Sequence, residues 1–215
     1  ITAIGNTLYF SASDGTSGDE LWKSDGTASG TVMVKDIRVP SGSSLPYELT
    51  VVGTTLYFRA DDGTNGYELW KSDGTASGTV MVKDINSGSN SGSPGSLTAV
   101  GNTLYFTADD GTNGRELWKS DGTTSGTVMV KDINSGSSSS GLTYFTAVGN
   151  TLYFRADDGI NGAELWKSDG TASGTVMVKN IRSGSSSSDP DHLTAVGNTL
   201  YFRANDGING AELWK

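Results

Sequence analysis

Apolar residues recur along this chain in short runs with the two-residue alternation of extended strands, and nowhere at helical spacing. In "TLYFRA" (Thr55 to Ala60), Leu56 and Phe58 fall on one side of a strand and Tyr57 on the other. In "ELWK" the adjacent Leu69 and Trp70 must face opposite sides. Both faces are therefore apolar, which predicts sheets covered on each side by a neighbour. Between the runs lie polar stretches rich in Gly, Asn, Asp and Ser, the residues that favour turns.

The runs repeat. Trp22, Trp70, Trp118, Trp166 and Trp214 are each 48 residues apart, and Gly5, Gly53, Gly101, Gly149 and Gly197 keep the same interval. The 215 residues hold four full copies (1–48, 49–96, 97–144, 145–192) and a partial fifth (193–215), read as one quasi-symmetric domain. Each copy predicts four antiparallel strands. In the third these are "LTAVG" (Leu97 to Gly101), "TLYFTA" (Thr103 to Ala108), "RELWKS" (Arg115 to Ser120) and "TVMVKDI" (Thr127 to Ile133). Gly101-Asn102 predicts a two-residue hairpin turn between the first two. The fourth strand is followed by an 11-residue polar segment, such as "NSGSNSGSPGS". That length suits a crossing of three strand spacings, roughly 14 Å, from the outer edge of one sheet to the inner edge of the next. Four-stranded units joined in this way predict an all-β propeller of 48-residue blades. A β-solenoid is the rival, although its coils are usually shorter and lack paired hairpins.

The fifth copy stops within its third strand. Losing an outermost strand only uncovers a new edge, here ending in the charged Lys215, so the order from axis to rim is predicted as first, second, third, fourth. On that order one chain is expected to close as a monomeric ring of five blades, the last three-stranded. Two chains joined into nine or ten blades are the competing outcome.

Composition narrows the function classes. Only 34% of residues are hydrophobic, but their clustering in β-favouring runs argues for a folded chain. A net charge of −9 is unsuited to nucleic acid, whose phosphates need a basic surface, and disfavours anionic membranes. No apolar run approaches the roughly 20 residues of a membrane-spanning helix. The absence of cysteine excludes disulfides, thiolate metal sites and cysteine nucleophiles. The chain opens on Ile1 rather than Met, consistent with a removed leader or a fragment.

The phrase "ELWKSDGTASGT" (Glu20 to Thr31 and Glu68 to Thr79) resembles the bacterial ELWxxDGT repeat family, and the likeness runs through the whole chain. The resemblance implies a secreted or cell-surface location and carries no general biochemical activity. "SDGTASGT" is also similar to the Asp-box turn of sialidase-type blades, with a different spacing after the glycine. Such a box is a structural turn, so it speaks for the fold.

Among individual residues, His192 is the sole histidine and stands in the loop "SDPDH" without a counterpart in other copies; a solvated loop residue is the simplest account. The serines of "SGSSSS" lack an oriented base and read as flexible connection. In "ADDGTNG", Asp61, Asp62 and Asn65 offer hard oxygens to calcium, but two carboxylates per loop fall short of six to eight ligands. A turn in which Asp62 caps backbone N–H groups and Asn65-Gly66 takes positive φ is the preferred reading. Trp70 and its equivalents read as core, with a sugar platform as the alternative. The copies differ before "ELW" (Asp19, Tyr67, Arg115, Ala163, Ala211) and after "YF" (Ser11, Arg59, Thr107, Arg155, Arg203). This variation is expected to mark solvent exposure and a ligand-binding rim formed by Arg59, Tyr67, Arg115, Arg155 and Arg203.

Enzymatic propellers bring different residues from different blades to one centre, whereas here "SDGTASGTVMVKDI" is identical at 24–37 and 72–85. The expectation is therefore a non-enzymatic scaffold or surface interaction module without a cofactor, binding a protein or glycan. A multivalent lectin with equivalent sites between blades is the alternative. An acid-type hydrolase using Asp61-like carboxylates is a third class.

Overall fold

The alternation of each copy becomes a four-stranded antiparallel sheet in the computed structural model, which describes all residues 1–215. The first sheet holds β1 (Thr2–Ile4), β2 (Thr7–Ser13), β3 (Asp19–Ser24) and β4 (Val32–Lys35); the second β5 (Tyr47–Val52), β6 (Thr55–Asp61), β7 (Tyr67–Ser72) and β8 (Val80–Lys83). The third is β9 (Gly95–Val100), β10 (Thr103–Asp109), β11 (Arg115–Ser120) and β12 (Val128–Lys131). The fourth is β13 (Thr143–Val148), β14 (Thr151–Asp157), β15 (Ala163–Ser168) and β16 (Val176–Lys179). The fifth has three strands, β17 (Asp191–Val196), β18 (Thr199–Asn205) and β19 (Ala211–Trp214). Within each sheet the strands lie in chain order, and no helix is long and apolar enough to cross a membrane.

Two boundaries differ by two residues from the sequence reading. The first strands begin two residues earlier, at Gly95 rather than Leu97 in the third copy. The fourth strand ends at Lys131 rather than Ile133, because the Ile133 N–H leaves the sheet and donates to Glu116 Oε2 at 2.9 Å. At the hairpin turn only Gly101 takes positive φ (58°), and in the acidic loop Gly63 (81°) and Gly66 (67°) do, while Asn102 and Asn65 do not.

The sheets stack face to face. Tyr57 and Leu69 of the second blade join Leu104, Phe106 and Trp118 of the third in one buried cluster. Leu56, Phe58 and Trp70, on the opposite face of the second blade, pack with Tyr9 and Leu21 of the first. Each buried Leu or Phe stabilises the joint by about 1.5–3 kcal/mol. The first strands of successive blades touch, β1 with β5, β5 with β9, β9 with β13 and β13 with β17, which places them at the axis. Thr50 Oγ1 also donates to the Leu97 carbonyl across that inner boundary at 3.2 Å.

Polar bonds reinforce the apolar joint, those from the lysines running forward to the next blade. Lys71 Nζ donates to the Gly122 carbonyl at 2.8 Å and Lys83 Nζ to the Thr127 carbonyl at 2.9 Å, with Lys83 lying 5.6 Å over the Trp118 ring. Gly122 (φ 87°) must be glycine twice over, since a Cβ there would collide with the Tyr57 hydroxyl.

The expected five-bladed closure does not occur. The arc stays open, with β1 packed on β5 and not on β17. Its terminal faces meet solvent: Leu8 is 42% exposed, Val196 59% and Leu213 76%, whereas Leu56 and Leu69, their counterparts in the second blade for Leu8 and Leu213, are fully buried.

Candidate functional site at the axial mouth

The turns settle first. Asp62 Oδ1 accepts from the Thr64 and Asn65 N–H groups at 2.9 Å each, and Oδ2 from Asn65 Nδ2 at 2.8 Å. Burial opposes ionisation of Asp62, but these bonds outweigh it and lower its pKa. Asp61 accepts from the Gly63 N–H at 2.6 Å and pairs with Arg38 at 2.6 Å. The three oxygen-bearing side chains proposed for calcium thus serve the loop and its neighbour, and no group of three or more acidic or histidine side chains stands ready for a metal ion. In the Asp-box-like turn, Asp73 Oδ1 accepts from Thr75 N and Oγ1, and Thr75 Oγ1 accepts from the Gly78 N–H.

Sequence reasoning missed the role of the glutamate in "ELW". Glu20, Glu68, Glu116 and Glu164 are fully buried. Each carboxylate accepts backbone N–H groups from the isoleucine before the 11-residue connection and from the connection itself: Glu68 from Ile85 at 3.0 Å and Gly92 at 2.6 Å, and Glu164 from Ile181 at 3.0 Å and Ser188 at 3.1 Å. In three copies a serine hydroxyl completes the set, as from Ser140 Oγ to Glu116 Oε2 at 2.6 Å. Burial is the larger effect and pushes Glu68 and Glu116 up to about 7 despite these bonds. An uninterrupted glutamate among apolar neighbours was the available signal: a buried charge needs partners, and the connection supplies them.

The pinned connections deliver the chain to the start of each first strand, where the backbone is strained. All seven non-glycine residues with positive φ lie there: Leu45, Glu48, Ser93, Ser96, Tyr144, Asp189 and His192. Glu48 (59°), Ser96 (55°), Tyr144 (58°) and His192 (53°) are one repeat position. No copy uses glycine there, although this conformation costs a side-chain-bearing residue about 1–3 kcal/mol. A bulge beside it, between Tyr47 and Thr50 in the second blade, re-aims the side chains.

The variable residues converge on this end of the arc in two groups. Around the second and third blades, the Arg59 guanidinium lies 5.4 Å from the Tyr47 ring and 5.2 Å from the Tyr67 ring. Arg115 Nη1 donates to the Ser93 carbonyl at 2.7 Å and Thr107 Oγ1 at 3.0 Å, and burial lowers its pKa. Glu48 Oε2 accepts from the Leu97 N–H at 3.0 Å, joining the two blades. Around the fourth and fifth, Arg155 pairs with Asp189 at 2.8 Å, while Asp191 bridges Arg203 and His192. The Arg203 bonds, followed by that from His192, outweigh burial and hold the Asp191 carboxyl below its ordinary value. A cavity of about 270 Å³ opens here, lined by Thr143, Tyr144, Arg155, Asp189, Pro190 and Asp191.

The structure therefore brings Arg59, Tyr67 and Arg115 together and sets Arg155 and Arg203 in a second group. Variation does not track exposure as expected: Thr107 and Ala163 are buried. Their positions vary because they face the divergent first-strand starts, where Thr107 pairs with Gly95, rather than because they meet water. Trp70, Trp118 and Trp166 are core, buried between blades, while Trp22 and Trp214 in the terminal blades are half-buried.

This stacking of four-stranded sheets recurs in solved proteins. A puromycin hydrolase overlays with a TM-score of 0.56 at 16% identity, over 96% of this chain and 33% of that one. Its S511A mutant complexed with PGG gives 0.56 at 15%, over 91% and 31%. A chain from a study of two prolyl endopeptidases gives 0.55 at 13%, over 97% and 33%. The fold is a β-propeller. This chain spans about a third of each of those proteins, and at such identity the likeness concerns the fold alone. No protein-family profile matches the propeller's sequence, and no curated protein does.

Proposed function

We propose that this propeller is a non-enzymatic interaction module, secreted or displayed on a bacterial surface, that holds a polar protein ligand at the axial mouth. One observation carries the reading: nearly identical blades diverge where non-glycine residues are held at positive φ, beside exposed Tyr47 and Tyr144 and the arginine groups. Strain retained by four different residues is a mark of a functional position. Near-identity elsewhere suits a frame that repeats one joint and leaves variation to its open end.

A glycan-binding reading has its own support. Exposed Tyr144 beside Arg155, Asp189 and Asp191 combines an aromatic face with donors and acceptors, the chemistry that holds a sugar ring. The two readings separate on a glycan array run beside capture of secreted and surface proteins. Glycan binding abolished by Tyr144→Ala favours the lectin reading; a protein ligand lost in Arg59→Ala or Arg155→Ala favours the lead. Turnover of ester, peptide or glycoside substrates by the purified chain, abolished by a substitution at the mouth, would overturn both.

A further inference from the structure

One repeat position carries an arginine in three blades, and only one of the three lacks a carboxylate. Across the first hairpin of its blade, Arg59 stands opposite Tyr47, Arg155 opposite Thr143 and Arg203 opposite Asp191. Arg203 donates to Asp191 through two nitrogens, Nε to Oδ1 at 2.9 Å and Nη2 to Oδ2. Arg155 Nη2 donates to Asp189 Oδ1 at 2.8 Å. Around Arg59 the counterparts of Asp191 and Asp189 are Tyr47 and Ser93, neither of them acidic. Arg59 accordingly belongs to none of the ion pairs, and its Nε is buried without an acceptor.

The surroundings of Arg59 hold its guanidinium without satisfying it. The Tyr47 and Tyr67 rings lie 5.4 Å and 5.2 Å from it, contacts that attract the cation but accept none of its N–H groups in the plane. Arg115 stands near enough to add a second positive charge: burial is the larger cause of its lowered pKa, and Arg59 adds to it while Asp109 and Glu48 act against. A planar fork of donors beside a second cation matches a carboxylate, which takes two parallel bonds from it. We infer that Arg59 receives a carboxylate from outside the chain, an Asp or Glu side chain of a bound peptide segment, in the place that Asp191 takes against Arg203. The inference rests on the mouth being the surface that holds a protein ligand, and it names the chemistry recognised there. The two tyrosine rings are engaged with the guanidinium rather than free to stack on a sugar ring, which favours an acidic side chain over a uronic acid. The net charge of −9 supplies no long-range attraction for such a ligand, so recognition depends on this local fork.

NMR titration of the chain with acetylated, amidated tetraglutamate tests this, with tetraglutamine as the control. Tetraglutamate should bind with a dissociation constant of about 1–10 mM, the weak range of a partly exposed ion pair, and tetraglutamine should not bind. The shifts should concentrate at Tyr47, Arg59 and Tyr67. Tyr47→Asp gives the second blade the acid that the fifth already carries; because Tyr47 is 61% exposed, the variant should keep the wild-type circular dichroism while losing the response with Arg59 still present. Arg59→Gln should lose it as well, and Tyr144→Ala should retain it. No response to tetraglutamate, or a response that survives in folded Tyr47→Asp, overturns the inference. So does a response to glucuronate with none to tetraglutamate, which would assign the site to an acidic sugar. Shifts confined to Tyr144 and Arg155 overturn the role of Arg59 but leave the mouth as the binding surface.

Discussion

Glu68 Oε2 accepts the Ile85 N–H at 3.0 Å, so a side chain in the third strand of a blade fixes the residue at which the fourth strand stops. The same carboxylate reaches Gly92, seven residues further on, and thereby sets the course of the connection to the next blade. A buried acid here organises the chain segment that forms the mouth.

Glu68→Ala should lower stability by roughly 1–3 kcal/mol for each N–H group it orphans, Ile85 and Gly92 being the principal two. Glu68→Gln, which keeps one acceptor, should lose less. Urea denaturation followed by tryptophan fluorescence measures both, and equal losses would contradict the two-sided role.

Stability should also depend on pH in an unusual direction near neutrality. Glu68 and Glu116 titrate at about 7 in the folded chain against an ordinary 4.5, so between those values the folded state holds protons that the unfolded state has released. Their effect makes stability fall as pH rises through that window. The turn aspartates Asp73, Asp121 and Asp169 act oppositely: bonds from their threonines lower their pKa, so their stabilisation is present above the ordinary value of 3.8 and disappears as acid protonates them. The melting temperature should therefore peak at about pH 4, between the ordinary aspartate value of 3.8 and the ordinary glutamate value of 4.5. A melting temperature that rises steadily from pH 5 to 8 would refute the assignment.

Gly122→Ala should destabilise more than Gly26→Ala. Both sites have positive φ, 87° and 91°, but only Gly122 faces a tyrosine hydroxyl. The backbone part costs about 1–2 kcal/mol at either site. The excess at Gly122 should shrink when Tyr57→Phe is added, in a double-mutant cycle read by thermal melting.

Trp118→Ala should cost about 3–5 kcal/mol, as expected for a large side chain buried between blades and covered by Lys83. Loss of ligand binding with unchanged melting would instead make the ring a binding surface.

EDTA should leave the melting temperature unchanged, because Asp62 already satisfies both of its oxygens within the loop. A fall of more than about 10 °C, beyond what one modest interaction gives, would restore calcium to Asp61, Asp62 and Asn65.

Much of the fold was legible because each blade repeats a local code. The alternation of Leu56, Tyr57 and Phe58 fixed the two faces, and the 11-residue connection fixed the inner-to-outer strand order. Closure was not legible, since blade count depends on the angle between stacked sheets, a sum over many contacts that no single residue encodes. At the mouth, the variable Arg59, Tyr67 and Arg115 were visible as differences between copies. The strain at Glu48, Ser96, Tyr144 and His192 was hidden, because the usual marker of positive φ is glycine and none occurs there. The role of Glu68 was hidden for a different reason: the N–H groups that satisfy its buried carboxylate, on Ile85 and Gly92, lie 17 and 24 residues away in sequence.

The forward bonds from one blade to the next have a consequence for how such a gene can change. Lys71 reaches 51 residues ahead and Lys83 reaches 44 ahead, and the same offsets recur at each boundary among the first four blades. Deleting or duplicating any 48 consecutive residues reconnects each donor to an acceptor of the same kind. Slippage during replication can therefore lengthen or shorten the arc by whole blades without creating a mismatched joint, and a point mutation at the joint can be overwritten from the neighbouring copy.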